Sequence, residues 1–389
     1  ELTGAEEIKL PATEFQIDGI LRAIRILDEL GGVLVCDEVG LGKTFIAGEL
    51  IRIVSQVGRQ KVLIVVPASL KLSTWTPFLR QYDLISARVD IVSFDELRLK
   101  KKIKPEQYDD YSLIVIDEAG QFSLANSLVA ISAAKRALLL GDPQQLPQVS
   151  QGKHPEPVNE SVLSHLLGEN KTMPDDLGFF LATTFRLHPL IAKAVSRLQY
   201  EGRLQSDARC SKRHLQDVDP GIHVIDVEHL GNTVTSIEEA NELLARIPTL
   251  LGKAWTPVGG DGNPTDSRAL TQKDILVVTG YNAQVRYLKA RLRDAGLTDI
   301  RVGTVDKFQG QEAPVVFVSM VTSSSEDLPR GIEFLLSPNR LNVAISRAQW
   351  ACFILRSPHL AIMEPTSPDG MVMLGKFVTL CKSQINGEG

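Results

Sequence analysis

Short apolar runs alternate with amphipathic stretches through the first part of the chain. These runs have no polar face and are bounded by turn residues, which is typical of strands buried on both faces of a parallel sheet. The amphipathic stretches between them, such as residues 44–54 and 123–131, predict helices that cover the sheet. The predicted strands are Val33–Cys36, Val62–Val66, Val89–Val92, Leu113–Ile116 and Ala137–Leu140.

A polar stretch rich in Pro, Gly, Asn and Asp interrupts this alternation at residues 148–177 and predicts, in part, a linker. A second alternation follows, and residues 252–273 within it predict a long surface loop. The pattern therefore predicts two α/β lobes in tandem, over residues 1–170 and 171–389. The strands predicted in the second alternation are Phe179–Ala182, Ile222–Val227, Ile275–Thr279, Arg301–Gly303, Val315–Met320 and Ala351–Leu355.

Composition adds few constraints. With 389 residues, 43% hydrophobic and 23% charged, the chain is typical of a globular protein with two domains, three being the alternative. The net charge of −5 excludes a global basic field. Nucleic acid would therefore bind in a local groove, and the alternative that no polyanion binds stays open on charge alone.

The four cysteines are widely spaced and form no C-x-x-C pair, which disfavours a zinc site or a disulfide framework and fits a reducing compartment. No apolar run approaches the length of a membrane span, and no signal-peptide pattern opens the chain. We therefore expect a cytoplasmic protein with no membrane partner. Because the chain begins at Glu1 without a methionine, we expect either a trimmed chain or a piece of a longer protein, with protein partners or flanking domains as further partners.

A phosphate-binding loop is predicted where the strand Val33–Cys36 leads through the sequence DEVGLGKT, residues 37–44, into a helix. Gly40 and Gly42 let the backbone direct its N–H groups at phosphate oxygens, next to the positive end of the helix. Lys43 would reach the β- and γ-phosphates, and the Thr44 hydroxyl would bind magnesium. The first glycine of the usual G-x-x-x-x-G-K-[ST] pattern is replaced by an aspartate, and a chance match in a surface turn is the alternative.

Two carboxylates follow the apolar strand that ends at Ile116. Asp117 could hold magnesium through water, and Glu118 could polarise the water that attacks the γ-phosphate. Such a pair is often a solvated strand end, but the phosphate loop upstream favours the functional interpretation.

Three more residues are candidates for sensing the nucleotide. Gln145 lies in the turn after the strand Ala137–Leu140 and could sense the γ-phosphate, with Asp142 tying the turn to the site; a simple Pro-bounded turn is the alternative. Arg186 and Arg347 could stabilise the charge of a phosphoryl transition state, the alternative being surface residues or ion pairs.

The segment from Asp117 to about Leu355 resembles superfamily 1B helicases of the nonsense-decay helicase and replication nuclease-helicase group. Six motifs carry this resemblance in the order in which the family has them. They are VIDEAGQ (115–121), GDPQQLP (141–147), TTFRLHP (183–189), TGYNAQV (279–285), GTVDKFQGQE (303–312) and NRLNVAISRA (339–348).

The resemblance implies two tandem RecA-like P-loop NTPase lobes with parallel sheets and an ATP cleft between them. It implies that Asp117 binds magnesium and that Glu118 is the catalytic base. It further implies that Gln145 contacts the γ-phosphate and that Arg186 and Arg347 are arginine fingers.

The same resemblance assigns residues that connect nucleotide and nucleic acid. Gln309, Gly310 and Glu312 would couple the bound nucleotide to the strand. Asn282 and Thr304 would lie nearer to the strand path.

The first 115 residues resemble a different group, the superfamily 2 ATPases of the chromatin-remodeller type. The matching segments are FQIDG (15–19), DEVGLGKT (37–44), VLIVVPASLKLSTW (62–75) and VSFDELR (92–98). In that group the equivalent of Gln16 reads adenine, and the segment near Pro67 and Ser69 contacts the nucleic-acid backbone. The chain therefore combines a remodeller-like front with a superfamily 1B back.

We expect an ATP-dependent helicase or translocase that uses ATP and Mg²⁺ and moves on single-stranded DNA in preference to RNA. The alternatives are a nucleotide-gated DNA-binding or partner-interaction ATPase without strand unwinding, and a phosphotransferase. For the basic run 98–104 we favour a solvated loop over a contact with nucleic-acid phosphates. Base stacking is one possible role for three aromatic residues, but we favour positions in the core for them. These residues are Trp75, Tyr281 and Phe308.

Overall fold

A computed structural model of the chain shows two compact units, Glu1–Leu181 and Ala182–Gly389. The structure describes residues 8–37, 42–98, 110–146, 155, 157–158, 160–168, 170, 172–173, 178–308, 311–324, 331–365 and 367–382.

The described part of the first unit forms a six-stranded sheet in the order β3-β2-β4-β5-β1-β6, and every strand pair in it is parallel. Its central strands are apolar and buried on both faces, as the uninterrupted apolar runs predict. The strands are β1 (Gly32–Asp37), β2 (Lys61–Val66), β3 (Val89–Ser93), β4 (Tyr111–Ile116), β5 (Ala137–Gly141) and β6 (Gly178–Leu181). The first five predicted strands are thus confirmed.

Helices of the first unit connect these strands, and the two predicted stretches at 44–54 and 123–131 are helical. The helices are α1 (Glu14–Leu30), α2 (Lys43–Arg52), α3 (Ala68–Leu70), α4 (Thr76–Gln81), α5 (Phe94–Arg98), α6 (Leu124–Ile131) and α7 (Val162–Leu167). Two π-helical turns, Ile53–Val57 and Lys71–Trp75, extend α2 and precede α4.

The strand predicted at Phe179–Ala182 does not begin the second lobe. It is β6, and it pairs in parallel with β1, with Leu34 opposite Gly178 and Asp37 opposite Leu181. Gly178 permits this pairing, because a Cβ there would lie 2.1 Å from the carbonyl oxygen of Leu34. The polar stretch at 148–177 therefore precedes the last strand of the first sheet, and the prediction that it links the lobes is wrong.

The second unit contains, in its described residues, a five-stranded parallel sheet in the order β10-β16-β15-β13-β14. The other five predicted strands are confirmed in this sheet. The strands of the unit are β7 (Thr183–Thr184), β8 (Gln205–Ser206), β9 (His214–Leu215), β10 (Gly221–Asp226), β11 (Ala254–Thr256), β12 (Arg268–Ala269), β13 (Ile275–Thr279), β14 (Arg301–Thr304), β15 (Ala313–Ser319) and β16 (Ala348–Arg356).

Six α-helices lie in the described residues of the second unit. They are α8 (Pro189–Gln199), α9 (Ile237–Leu250), α10 (Asn282–Asp294), α11 (Ile332–Leu335), α12 (Pro338–Ile345) and α13 (Pro368–Lys382). Short 3-10 turns lie at Ala208–Lys212, Gln272–Asp274, Val305–Phe308 and Pro358–Ala361. The predicted fold class, two tandem RecA-like α/β lobes with parallel sheets, is confirmed.

The prediction of a long surface loop at 252–273 is only partly right. β11 pairs antiparallel with both β9 and β12, and Trp255 of β11 is 1% exposed and packs in the core of the unit. Strands of two and three residues are too short to produce a recognisable alternation, so the sequence pattern misses them. No helix in the described ranges is both long and apolar enough to cross a membrane.

Sheet order determines which functional residues can meet. In a parallel sheet all carboxyl ends lie at one edge, and ligands bind outside that edge. In the first unit β4, β5 and β1 are neighbours, so the segments after them begin side by side. These segments contain Asp117, Asp142 and the phosphate loop, the predicted nucleotide-binding elements.

Candidate nucleotide site

The phosphate loop enters α2 through Gly42. Gly42 has φ +86° and caps the helix, a left-handed conformation that favours glycine. Lys43 and Thr44 are the first two residues of α2, where unpaired backbone N–H groups and the helix dipole favour an anion. The described half of the loop is thus the start of a helix, a position that is compatible with phosphate binding. Gly40 lies outside the described residues.

Gln16, the predicted adenine reader, lies against this loop. A Cβ on Gly42 would lie 2.0 Å from its Nε2 atom, so the Gln16 amide packs directly against the backbone of Gly42. Gln16 is buried, and its Oε1 accepts the backbone N–H of Thr13 at 3.0 Å in a capping box that begins α1. The structure therefore brings Gln16 and the phosphate loop together in one unit.

Asp117 directly follows β4 and is 8% exposed. Its Oδ1 accepts the backbone N–H of Glu118 at 3.0 Å, and its Oδ2 accepts the indole N–H of Trp75 at 2.8 Å. Burial raises the pKa of Asp117, while the Trp75 bond, the charge of Lys43 and the Glu118 N–H oppose that rise. The charge of Lys43 is thus one of the influences that favour the ionised form of this carboxylate.

The donor set suits magnesium bound to a nucleotide. A carboxylate and a hydroxyl are the hard oxygen ligands that Mg²⁺ prefers, and the ion keeps several waters. Asp117 and Thr44 would supply these oxygens, and Lys43 would neutralise phosphate charge. The residues present therefore fit the Mg²⁺–ATP that the sequence predicts.

Glu118 has a strained backbone. Its φ of +56° and ψ of +42° lie in the left-handed region, which costs a residue other than glycine about 1–3 kcal/mol. Among the described residues, the other non-glycine residues with positive φ are the exposed Arg59, Asp83, Glu201 and Asp217 and the buried, apolar Val321, whereas Glu118 is buried and carries a carboxylate. Strain at a buried carboxylate supports a functional role. The amide of Gln121 lies 3.5 Å from Glu118 Oε2, a weak contact.

The turn after β5 is held by Asp142. Its Oδ1 accepts the backbone N–H of Gln144 at 2.8 Å, and its Oδ2 accepts the side-chain amide of Gln145 at 3.0 Å. Asp142 and Gln145 are both 3% exposed. A Cβ on Gly120 would lie 3.1 Å from the carbonyl oxygen of Asp142, so this turn packs against the segment that contains Glu118.

In the second unit, Arg186 is 5% exposed and donates its Nε–H to Oε2 of Glu312. Its Nη1 is buried and has no hydrogen-bond partner in the part of the chain that the structure describes. Arg213 donates to the backbone carbonyls of Arg186 and Phe185, which fixes the turn. The other oxygen of Glu312 accepts the amide of Gln349 at 2.8 Å.

The pKa of Glu312 reflects this pairing. Burial acts to raise the pKa of Glu312. The charge and hydrogen bond of Arg186, the hydrogen bond from Gln349 and the charge of Arg213 together lower it below the usual value. Glu312 is therefore ionised at neutral pH. Arg186 is thus a buried residue paired with Glu312 and is not an exposed surface residue.

Arg347 is fully buried at the end of α12. Its Nε donates to the carbonyl of Val343 at 2.8 Å, Nη1 to the carbonyl of Gln311 at 3.3 Å, and Nη2 to Ser346 Oγ at 3.0 Å. These bonds hold the guanidinium in place within its own unit. Gln309 and Gly310, the neighbouring predicted residues, lie outside the described residues, as do residues 99–104 of the basic run.

The residues predicted near the strand path lie close to sheet edges. Pro67 and Ser69 follow β2, and Ser69 is exposed in α3. Asn282 is exposed at the start of α10, and Thr304 is half-buried at the end of β14, where it pairs with Thr279 of β13.

The three aromatic side chains considered for base stacking belong to the core. Trp75, Tyr281 and Phe308 are 0%, 6% and 2% exposed. Sequence reasoning did not anticipate that Trp75 contacts Asp117 or that Arg213 holds the Arg186 turn. These contacts join residues 42 and 27 positions apart, and no local pattern signals them.

Comparisons with known families and proteins extend these observations. A model of the AAA domain matches residues 158–359, just over half of the chain, and a second AAA domain model matches residues 100–151. The protein "Helicase sen1" of Schizosaccharomyces pombe is 30% identical over 63% of this chain and 14% of its own length. The "ATP-dependent helicase upf1" of the same organism is 29% identical over 63% of this chain and 26% of its own length. The chain thus spans about a quarter or less of these relatives.

Among solved structures, Arterivirus nonstructural protein 10, a helicase in complex with DNA, is similar with a TM-score of 0.46 and 15% identity. The match covers 92% of this chain and 65% of that one.

Proposed function

Because the chain belongs to the AAA domain family, we propose that it is an ATP-dependent nucleic-acid helicase or translocase. Named helicases among its relatives support a superfamily 1 helicase that hydrolyses ATP. The observation that carries the proposal is the arrangement in the first unit, where a buried Asp117, held by hydrogen bonds from Trp75 and from the Glu118 N–H, is followed by a strained Glu118. A nucleotide-gated module without strand unwinding is not favoured.

Each residue of the first unit has a defined part in this proposal. Lys43 and the N–H groups at the start of α2 bind the phosphates, and Thr44 and Asp117 hold Mg²⁺. Bound Mg²⁺ neutralises charge on the β- and γ-phosphates. Glu118 accepts a proton from the attacking water, which raises the nucleophilicity of that water. Gln145, oriented by Asp142, contacts the γ-phosphate.

In the second unit we propose that Arg186 and Arg347 are arginine fingers. A guanidinium stabilises charge that spreads over the phosphoryl oxygens in the transition state. The buried Nη1 of Arg186 supports this role, since an unsatisfied donor is costly unless a ligand uses it. Glu312, Gln309 and Gly310 would couple the nucleotide to the strand.

For the nucleic acid, we propose a single strand, DNA in preference to RNA. Pro67, Ser69, Asn282 and Thr304 would contact it. Their positions, after β2, after β13 and at the last residue of β14, support this proposal. A chain with net charge −5 needs such local contacts rather than a global field.

For the front of the chain, we propose a remodeller-type nucleotide site in which Gln16 reads adenine. The contact of its amide with Gly42 supports this assignment. We also propose a cytoplasmic location, which fits four buried cysteines at separate places in the fold.

The test compares ATP hydrolysis alone and with single-stranded DNA, single-stranded RNA and duplex DNA. We expect single strands to stimulate hydrolysis and the chain to displace streptavidin from a biotinylated strand end. A chain that hydrolyses ATP at one rate under all conditions, or displaces nothing, contradicts the motor. ATP-dependent binding of a partner without movement would favour the alternative.

A further inference from the structure

Trp75 is a fully buried aromatic residue whose indole N–H makes a hydrogen bond. It ends the π-helical turn Lys71–Trp75, is 0% exposed, and packs edge-on against Phe78 with ring centroids 6.2 Å apart. Its single N–H donates to Asp117 Oδ2 at 2.8 Å, across 42 residues of sequence. A buried indole needs an acceptor, but a backbone carbonyl would satisfy it equally well. Here the acceptor is the carboxylate that follows β4.

The carboxylate of Asp117 is held by two donors on different oxygens. Oδ2 accepts the Trp75 indole, and Oδ1 accepts the backbone N–H of Glu118 at 3.0 Å. The backbone N–H of Asp117 is itself bonded to the carbonyl of Val65 at 3.0 Å, so the Cα is fixed to the sheet. Rotation of the carboxylate would break both side-chain bonds. The two bonds therefore fix the direction in which the remaining lone pairs of each oxygen point.

We propose that Trp75 is a positioning residue for the magnesium site, because its indole N–H holds the Asp117 carboxylate in the orientation that binds Mg²⁺. This inference rests on the proposed function, in which Asp117 is a magnesium ligand. Partners of metal ligands that fix ligand orientation typically change metal affinity or activity by about 10–100-fold when they are removed. Octahedral geometry makes Mg²⁺ sensitive to such a loss.

Trp75→Phe separates this role from packing. Phenylalanine keeps an aromatic ring against Phe78 and removes the N–H. Trp350→Phe is a matched control, since Trp350 is 5% exposed and donates its indole N–H at 2.8 Å to the carbonyl of Val218 in the second unit. Both variants lose one buried indole bond, but only Trp75→Phe loses one to a proposed metal ligand.

The first measurement is binding of ADP by calorimetry, with and without Mg²⁺. For Trp75→Phe we expect Mg²⁺-dependent ADP affinity to fall about 10–100-fold, with metal-free ADP affinity within about twofold of wild type. Trp350→Phe should match wild type in both. If Trp75→Phe keeps wild-type Mg²⁺ dependence, or loses metal-free affinity equally, Trp75 does not position the ligand. If wild type shows no Mg²⁺-dependent nucleotide binding, the proposed function itself fails.

The second measurement needs no folded Trp75 variant. The chain has three tryptophans, so ¹⁵N-labelled indole groups give three resonances, and Trp255→Phe and Trp350→Phe assign the third to Trp75. We expect the Trp75 resonance of the wild-type protein to shift on addition of Mg²⁺ with ADP, and the other two to stay in place. A Trp75 resonance that does not respond to Mg²⁺–ADP, in a protein that binds it, overturns the proposal.

Discussion

Arg186 donates its Nε–H to the carboxylate of Glu312, a residue 126 positions later in the chain. Both side chains belong to the second unit, and Arg213 fixes the backbone around Arg186 through two carbonyl groups. The arginine is thus pre-oriented by its own unit, while its buried Nη1 has no partner among the described residues. In the proposed role, this Nη1 would donate to a phosphate oxygen.

Arg186→Ala should therefore lower kcat for ATP by about 100–1,000-fold, because it removes a donor to the transition state. ATP binding measured without turnover should change much less. Arg197→Ala, at an exposed position of α8, is the control and should behave as wild type. The role assigned to Arg186 is wrong if kcat in the alanine variant stays within about threefold of wild type, a change worth less than about 1 kcal/mol in the barrier.

Asp142 and Gln145 should act as one functional unit. Asp142→Asn would place an amide donor or a weaker acceptor opposite the Gln145 amide and so release it. We expect Asp142→Asn and Gln145→Ala each to lower kcat, and the double variant to be no slower than the slower single variant, since coupled residues are not additive. Asp294→Asn, on the exposed end of α10, is the control. Additive losses in single-turnover rates would show that the two side chains act separately.

His188 should make the second unit less stable in acid. It is 9% exposed, its Nδ1 accepts the backbone N–H of Leu190 at 3.4 Å, and burial and the charge of Arg213 lower its pKa from 6.5 to about 4. The unfolded chain therefore binds this proton near pH 6.5, whereas the folded unit binds it only near pH 4. The free energy of unfolding should fall between these values as pH decreases, by about 1.4 kcal/mol for each unit of the difference.

His188→Asn provides the comparison, because asparagine caps a helix without titrating. Urea unfolding at pH 7 and pH 4.5 should show a smaller pH-dependent loss in the variant than in wild type. Equal losses in the two proteins would mean that His188 is not the group responsible.

Local pattern predicts strands well here but not their partners. The apolar runs at β1 to β5 are unambiguous, because strands covered on both faces have no polar positions. The run at 179–182 also predicts a strand. The sheet that this strand joins is determined by the edge of β1, more than 140 residues earlier in the chain. Sequence spacing carries no information about that edge.

In the candidate site, too, local sequence locates the functional residues but does not predict their contacts. Lys43, Thr44, Asp117 and Glu118 lie at junctions of strand, loop and helix that motifs describe, so sequence alone locates them. Contacts that fix their orientation come from elsewhere in the fold. Trp75, which bonds to Asp117, ends a π-helical turn, and Glu118 has a left-handed backbone that its residue type does not favour.

The most direct test of the central claim is ATP hydrolysis by Glu118→Gln in the presence of single-stranded DNA. Glu201→Gln is a matched control, since Glu201 is also a left-handed glutamate but lies in an exposed turn. We predict that Glu118→Gln lowers the stimulated rate by about 100–10,000-fold and retains ATP binding, while Glu201→Gln matches wild type. A Glu118→Gln protein that hydrolyses ATP at the wild-type rate would contradict the assignment of this site.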